Sequence, residues 1–185
     1  MTEEIVIAGF GGQGVLLAGK LLCVAAMRRG LQVSHIPSYG AEMRGGTANC
    51  SVVISTEDIP SPVIECPSVV IALNGPSLVK FLPRIRLGGM LIWNRSLIAI
   101  APSRSDLFSF PLDATDISLA NGTERAANMV AIGALLRLKP NLVSMKSIEA
   151  ALDEVISSRN RKYNSLNLRI LSVGYEMAEK IVANK

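Results

Sequence analysis

Apolar and polar positions divide the chain into an alternating first two-thirds and a helical last third. Ile5, Val6, Ile7 and Ala8 form an unbroken apolar run, the pattern of a strand buried on both faces of a parallel sheet. Runs at residues 31–36, 47–55, 68–73 and 90–93 predict four further strands. Residues 15–27 predict a helix that is apolar on nearly every face, so it must be covered on more than one side. That implies either a central position in the fold or a partner chain. Asn74-Gly75-Pro76-Ser77 turns into a short helix through Phe81, and residues 96–112 hold short strand-like pieces with Pro102 and Pro111. Beyond them the spacing turns helical. Ala127, Val130, Ala131, Ala134, Leu135 and Leu138 mark one helix, with Asn121 and Glu124 read as its cap and Pro140 as its stop. Ile148, Ala151, Leu152, Val155 and Ile156 mark a second helix, preceded by Ser144. Leu168, Leu171, Tyr175, Ala178 and Val182 mark a third. The expected fold is α/β: a Rossmann-like, three-layer open sheet, mostly parallel, with helices on both faces and a helical C-terminal third. Residues 1–185 are expected to form one domain.

Between the first strand and the first helix lie Gly9, Gly11 and Gly14, in the spacing G-x-G-x-x-G, with Gly12 in addition. The first glycine permits a tight turn, the second a close backbone approach, and the third the packing of helix on strand. Such a turn leaves unpaired N–H groups at a helix N-terminus, which attract phosphate or carboxylate. Its alternative is a close-packed turn without a ligand. A nicotinamide site carries an acid at the end of the second strand, about 20 residues on, to hold the ribose. Here no Asp or Glu occurs between Glu4 and Glu42, which argues against it. Gly14, Gly19 and Lys20 imitate a phosphate loop, but Leu21 replaces the magnesium-binding hydroxyl and Val15 to Ala18 favour helix.

The second strand leads into Pro37-Ser38-Tyr39-Gly40-Ala41-Glu42-Met43-Arg44-Gly45-Gly46. This is a loop at the carboxyl end of a strand, the edge where open α/β sheets bind ligands. Arg44 followed by Gly45 and Gly46 can present a guanidinium and backbone N–H groups to an anion. Its bland reading is a solvated loop with Glu42 and Arg44 paired.

Composition narrows the chemistry. Hydrophobic residues make up 49% and charged residues 18%, an apolar balance that suggests burial against another chain. No apolar run reaches the ~18 residues of a membrane span. The acidic start, Thr2-Glu3-Glu4, does not read as a signal peptide, and the expected location is cytoplasmic. Net charge is +4, but the positive residues are dispersed and aromatics are 4%, so nucleic-acid binding is not expected. Arg28 and Arg29 suit a helix C-terminus with their heads in solvent, and Arg159, Arg161 and Lys162 are read as a loop cluster. Three cysteines, Cys23, Cys50 and Cys66, lack paired spacing, and Cys23 is read as a core thiol. The single histidine, His35, is read as structural. Asp113 and Asp116 are read as helix-start residues, and no carboxylate or histidine cluster marks a metal or catalytic centre.

Two stretches carry a resemblance. Gly9-Phe-Gly-Gly-Gln-Gly-Val-Leu-Leu-Ala-Gly-Lys20 and Ser38-Tyr-Gly-Ala-Glu-Met-Arg-Gly-Gly-Thr-Ala-Asn49, followed by Ala127-Asn128-Met129-Val130, resemble the gamma subunit of 2-oxoacid:ferredoxin oxidoreductases, nearest the 2-oxoglutarate or 2-ketoisovalerate type. The resemblance implies a Rossmann-like subunit, not itself catalytic, of an enzyme converting a 2-oxoacid and coenzyme A to acyl-CoA, carbon dioxide and reduced ferredoxin. It places thiamine diphosphate, magnesium and iron–sulfur clusters on partner alpha, beta and, where present, delta subunits, and leaves a homodimer open to the isolated chain. A contribution to coenzyme A binding or to active-site closure would suit Arg44, Gly45 and Gly46, while Gly9, Gly11, Gly12 and Gly14 of the turn and Tyr39 of the loop are the other candidate binding residues. The indolepyruvate oxidoreductase beta subunit and a free-standing nucleotide- or anion-binding protein are the alternatives.

Overall fold

The computed structural model describes residues 1–39 and 47–183. Six strands, β1 (Thr2–Phe10), β2 (Gln32–Tyr39), β3 (Thr47–Ser55), β4 (Val69–Ala72), β5 (Met90–Asn94) and β6 (Phe108–Leu112), form one sheet of order β2-β3-β1-β4-β5-β6. β1, β4, β5 and β6 run parallel. β3 pairs antiparallel with both β1 and β2, so β3 alone runs against the others. Alternation within β1 divides the core. Ile5 and Ile7 face one apolar cluster with Val52, Ile54 and Ile71, while Val6 and Ala8 face the other with Val53, Val70 and Leu91.

The first face is covered by α1 (Val15–Met27), α4 (Ala127–Leu138), α5 (Met145–Val155) and α6 (Asn164–Ala183). The second carries α2 (Gly75–Phe81) and the 3-10 turn Leu82–Arg84, with Leu78, Phe81 and Ile85 buried on the sheet. The short α3 (Ala114–Ala120) joins β6 to α4. The apolar circumference of α1 is accounted for within the chain, because it lies between β1–β3 and α5. α4 and α6 cross at two glycines: a Cβ on Gly174 would strike the Val130 backbone, and one on Gly133 the Leu171 backbone.

Several expectations are corrected. β2 continues through Pro37 to Tyr39, because it is an edge strand where a missing N–H costs no ladder bond. Asn121 does not open α4. It closes α3, its amide donating to the Ile117 carbonyl at 2.9 Å, and Gly122 turns the chain with φ +87°. The start of α4 is held instead by the Ser118 hydroxyl, which accepts from Ala126 N–H at 3.1 Å and donates to the Thr123 carbonyl at 2.6 Å. Arg29 is not merely solvated: it donates to the Asn141 and Leu142 carbonyls at 2.9 and 2.7 Å. Arg28 pairs with Glu154. Arg159, Arg161 and Lys162 lie on a 3-10 turn, Ser158–Tyr163. Ser144 does cap α5, accepting from Ser147 N–H at 3.1 Å. Among the described residues no helix is long and apolar enough to cross a membrane.

Candidate functional site

The order of elements creates a switch point at β1 and β4. The chain leaves β1 through α1 toward β2 on one side, and leaves β4 through α2 toward β5 on the other. The crevice between the glycine turn and Asn74-Gly75 therefore opens at the carboxyl edge, where open α/β sheets place ligands.

Within the turn the glycines divide their work differently from the motif's usual assignment. Gly9 still belongs to β1, paired with Ala48. A Cβ there would lie 2.6 Å from Gln13 Oε1 and 3.2 Å from Leu73 Cβ, so Gly9 serves close packing. The turn itself is made by Gly12 and Gly14, with φ of +100° and +71°. Gly11 lies between them and Gly9, half-buried in the same turn. Gly14 also gives way to a side chain: Asn128 Nδ2 donates to its carbonyl at 3.0 Å and occupies the space a Cβ would need. Gln13 links the two sides of the crevice. Its Oε1 accepts from Phe10 N–H at 2.6 Å and its Nε2 donates to the Leu73 carbonyl at 3.4 Å. Asn94 donates to the same carbonyl and to Thr115 Oγ1.

Three asparagines thus line the carboxyl edge, and two keep unused capacity. Asn74 accepts from Ser77 N–H, but its Nδ2 is buried without a partner, as is Oδ1 of Asn128. The signal for Asn128 was a lone polar residue in the all-apolar start of α4. Gln13 gave none, because its role depends on contact with Leu73, 60 positions away. Among the described residues no side chain caps the first turn of α1, and that turn holds no acid, so its N–H groups and dipole are directed at this edge.

Register places the loop. Tyr39 pairs with Ala48, and Ala48 with Gly9, while Thr47 pairs with Phe10. Tyr39 and Thr47, the described residues on either side of 40–46, therefore lie at the level of the glycine turn. Arg44, Gly45 and Gly46 lie outside the described residues. β3 also stands between β1 and β2, so the end of β2 is two strand spacings, roughly 9.5 Å, from β1. A ribose-binding acid at the end of β2 would sit farther from the turn than in a sheet where these strands adjoin.

The remaining candidates are structural. His35 packs against Gly19 of α1 and near Cys50, and its Nε2 is buried without a partner. Burial first, and the charge of Lys20 second, hold its pKa below the usual imidazole value. Burial pushes the Cys23 and Cys50 thiols up to about 12, which removes the thiolate at neutral pH. Asp113 stands at the start of α3 but does not cap it. It pairs with Arg95, whose hydrogen bond holds the carboxyl below the usual range. Among the described residues no three His, Cys, Asp or Glu gather to hold a metal ion.

The chain matches the family model for pyruvate ferredoxin/flavodoxin oxidoreductase over residues 4–177. It is 38% identical over 177 residues to ketoisovalerate oxidoreductase subunit VorA of Methanothermobacter thermautotrophicus, covering 96% of this chain but 36% of that one. The chain therefore spans about a third of that relative's length. It is 35% identical over 185 residues to 2-oxoglutarate synthase subunit KorC of Methanocaldococcus jannaschii, covering 98% of this chain and 96% of that one. Among solved structures, the gamma subunit of a keto/oxoacid ferredoxin oxidoreductase from Geobacter sulfurreducens superposes with a TM-score of 0.82 at 28% identity, over 96% of this chain and 99% of that one.

Proposed function

The chain belongs to the pyruvate ferredoxin/flavodoxin oxidoreductase family, and from that premise we propose that it is the gamma-type subunit of a 2-oxoacid:ferredoxin oxidoreductase. The assembled enzyme converts a 2-oxoacid, 2-oxoglutarate or a branched-chain acid, with coenzyme A to acyl-CoA, carbon dioxide and reduced ferredoxin. Alpha, beta and, where present, delta subunits carry thiamine diphosphate, magnesium and the iron–sulfur clusters that supply the decarboxylation and electron transfer.

This chain contributes an anion-binding edge. The observation that supports the role is the Tyr39–Ala48–Gly9 row, which brings the end of β2 and the start of β3 level with the glycine turn that opens α1. Gly12 and Gly14 shape the turn, Gly9 lets Gln13 and Leu73 pack close against it, Gly11 lies within it, and Asn128 fixes it from α4. In this reading Arg44, with Gly45 and Gly46, donates to a phosphate of coenzyme A, and Tyr39, at the end of β2, stands on the same edge. Exposed Val79, Leu97 and Ile100, gathered along one apolar groove, suit a partner subunit.

The test is Arg44→Ala in the assembled enzyme. A charge-assisted hydrogen bond contributes about 1.5–3 kcal/mol, so the apparent KM for coenzyme A rises about ten- to a hundredfold. Unchanged KM and turnover would remove Arg44 from the site.

A further inference from the structure

We propose a second ligand site on this chain, for an organic anion with an apolar body, in the cavity between α1, the start of α4 and the start of α6. The cavity measures about 410 Å³, within the range of roughly 300–1,000 Å³ typical of small-molecule sites. Its floor is apolar: Leu17 from the first turn of α1, Ile156 from the end of α5, and Leu166 from α6. Its rim is polar, with Arg125, Tyr163 and Asn167.

Arg125 gives the site its sign. Its backbone is fixed, because its N–H donates to Thr123 Oγ1 at 3.2 Å and the Ser118 hydroxyl holds the residues on either side. Its guanidinium makes no hydrogen bond or ion pair among the described residues, whereas those of Arg28, Arg29, Arg95 and Arg169 all donate to protein oxygens. Among the described residues no carboxylate lines the cavity. Glu124 precedes Arg125 in the chain without lining it, and Arg159, Arg161 and Lys162 add positive potential from the adjoining turn. An unpaired guanidinium over an apolar floor selects a carboxylate or phosphate head and a body of hydrocarbon or ring. Tyr163 and Asn167 are free to orient polar atoms of the body. Every residue named for the site lies on this chain, and the proposal does not rest on the function proposed above.

The experiment is calorimetric titration of the full chain with hexanoate and with phenyl phosphate, beside the neutral hexanamide and phenol. The expected result is sub-millimolar binding of at least one anion, with its neutral partner about tenfold weaker or more, as loss of a charge-assisted hydrogen bond requires. Arg125→Gln reproduces that loss and Arg125→Lys restores part of it. Leu166→Ser weakens anion and neutral probe alike. Which anion binds distinguishes a carboxylate from a phosphate ligand. Failure of both anions to bind overturns the proposal, and so does binding unchanged in Arg125→Gln. Arg125 is exposed, so the urea midpoint of Arg125→Gln stays at the wild-type value and separates lost binding from lost folding.

Discussion

Replacing Gly174 by alanine is expected to destabilise the chain, although alanine is the better helix former. An ideal Cβ on Gly174 points at the backbone of Val130 in α4, 2.8 Å from its carbonyl carbon and 2.9 Å from its Cα. The Val130 carbonyl oxygen lies nearer still, and ordinary carbon contacts begin near 3.5 Å, a little less to oxygen, so α4 and α6 must part by about 1 Å. Backbone cannot rotate aside as a side-chain tip does. A gap of that size forfeits a quarter to a half of the dispersion well along the interface. Buried Val130, Ala134, Leu171 and Ala178 lie on these two helices. Overpacking of this kind costs about 3 kcal/mol at its upper end, and the gain in helix propensity offsets about 1 kcal/mol. The net loss is about 2 kcal/mol, or about 4–8 °C in Tm for a chain of this size. Gly133→Ala meets the Leu171 carbonyl carbon and the Tyr175 nitrogen, both at 2.9 Å, and behaves alike. The double variant is less than additive, since helices already parted admit the second methyl more easily. Scanning calorimetry of the isolated chain measures the effect, with Gly75→Ala as control, because a Cβ there meets nothing within 4 Å. A Tm at or above wild type in Gly174→Ala would refute this account of the crossing.

Gly14→Ala forces a side chain into φ +71° and into the space held by Asn128. It costs about 1–3 kcal/mol, read as a lower urea midpoint, whereas a wild-type midpoint means that the Asn128 contact does not fix the turn. Thiol labelling at pH 8 modifies the exposed Cys66 quickly and leaves Cys23 and Cys50 protected until unfolding. Fast modification of all three contradicts their burial. The two buried thiols also set an alkaline limit. Burial raises their folded pKa to about 12 from the ordinary 9.0. Their contribution is therefore complete below pH 9 and is lost as the pH climbs toward 12. The fall in urea midpoint from pH 9 to 11 is shallower in the Cys23→Ala/Cys50→Ala variant, and an unchanged slope rules the thiols out as its cause.

Local pattern revealed what local physics decides. The apolar runs at β1, β4 and β5 are buried on both faces, so no alternation obscured them. The span 15–27 of α1 needed only the glycines before it and Gly30 beyond it. The insertion of β3 between β1 and β2 has no local sign, because a pairing such as Ile7 with Cys50 spans 43 positions. Asn121 and Glu124 fit the capping pattern as letters, yet α3 ends there and Ser118 supplies the hydroxyl that opens α4. The glycine turn was legible as a motif. Its supports, Gln13 on Leu73 and Asn128 on Gly14, are tertiary contacts.

The most direct measurement is isolation of the tagged chain from its native cells, with identification of co-purifying subunits and an assay of the eluate. The account predicts thiamine-binding and iron–sulfur partners, and reduction of an electron acceptor that requires both a 2-oxoacid and coenzyme A. A lone chain under gentle conditions, with no such activity in the eluate, would contradict it.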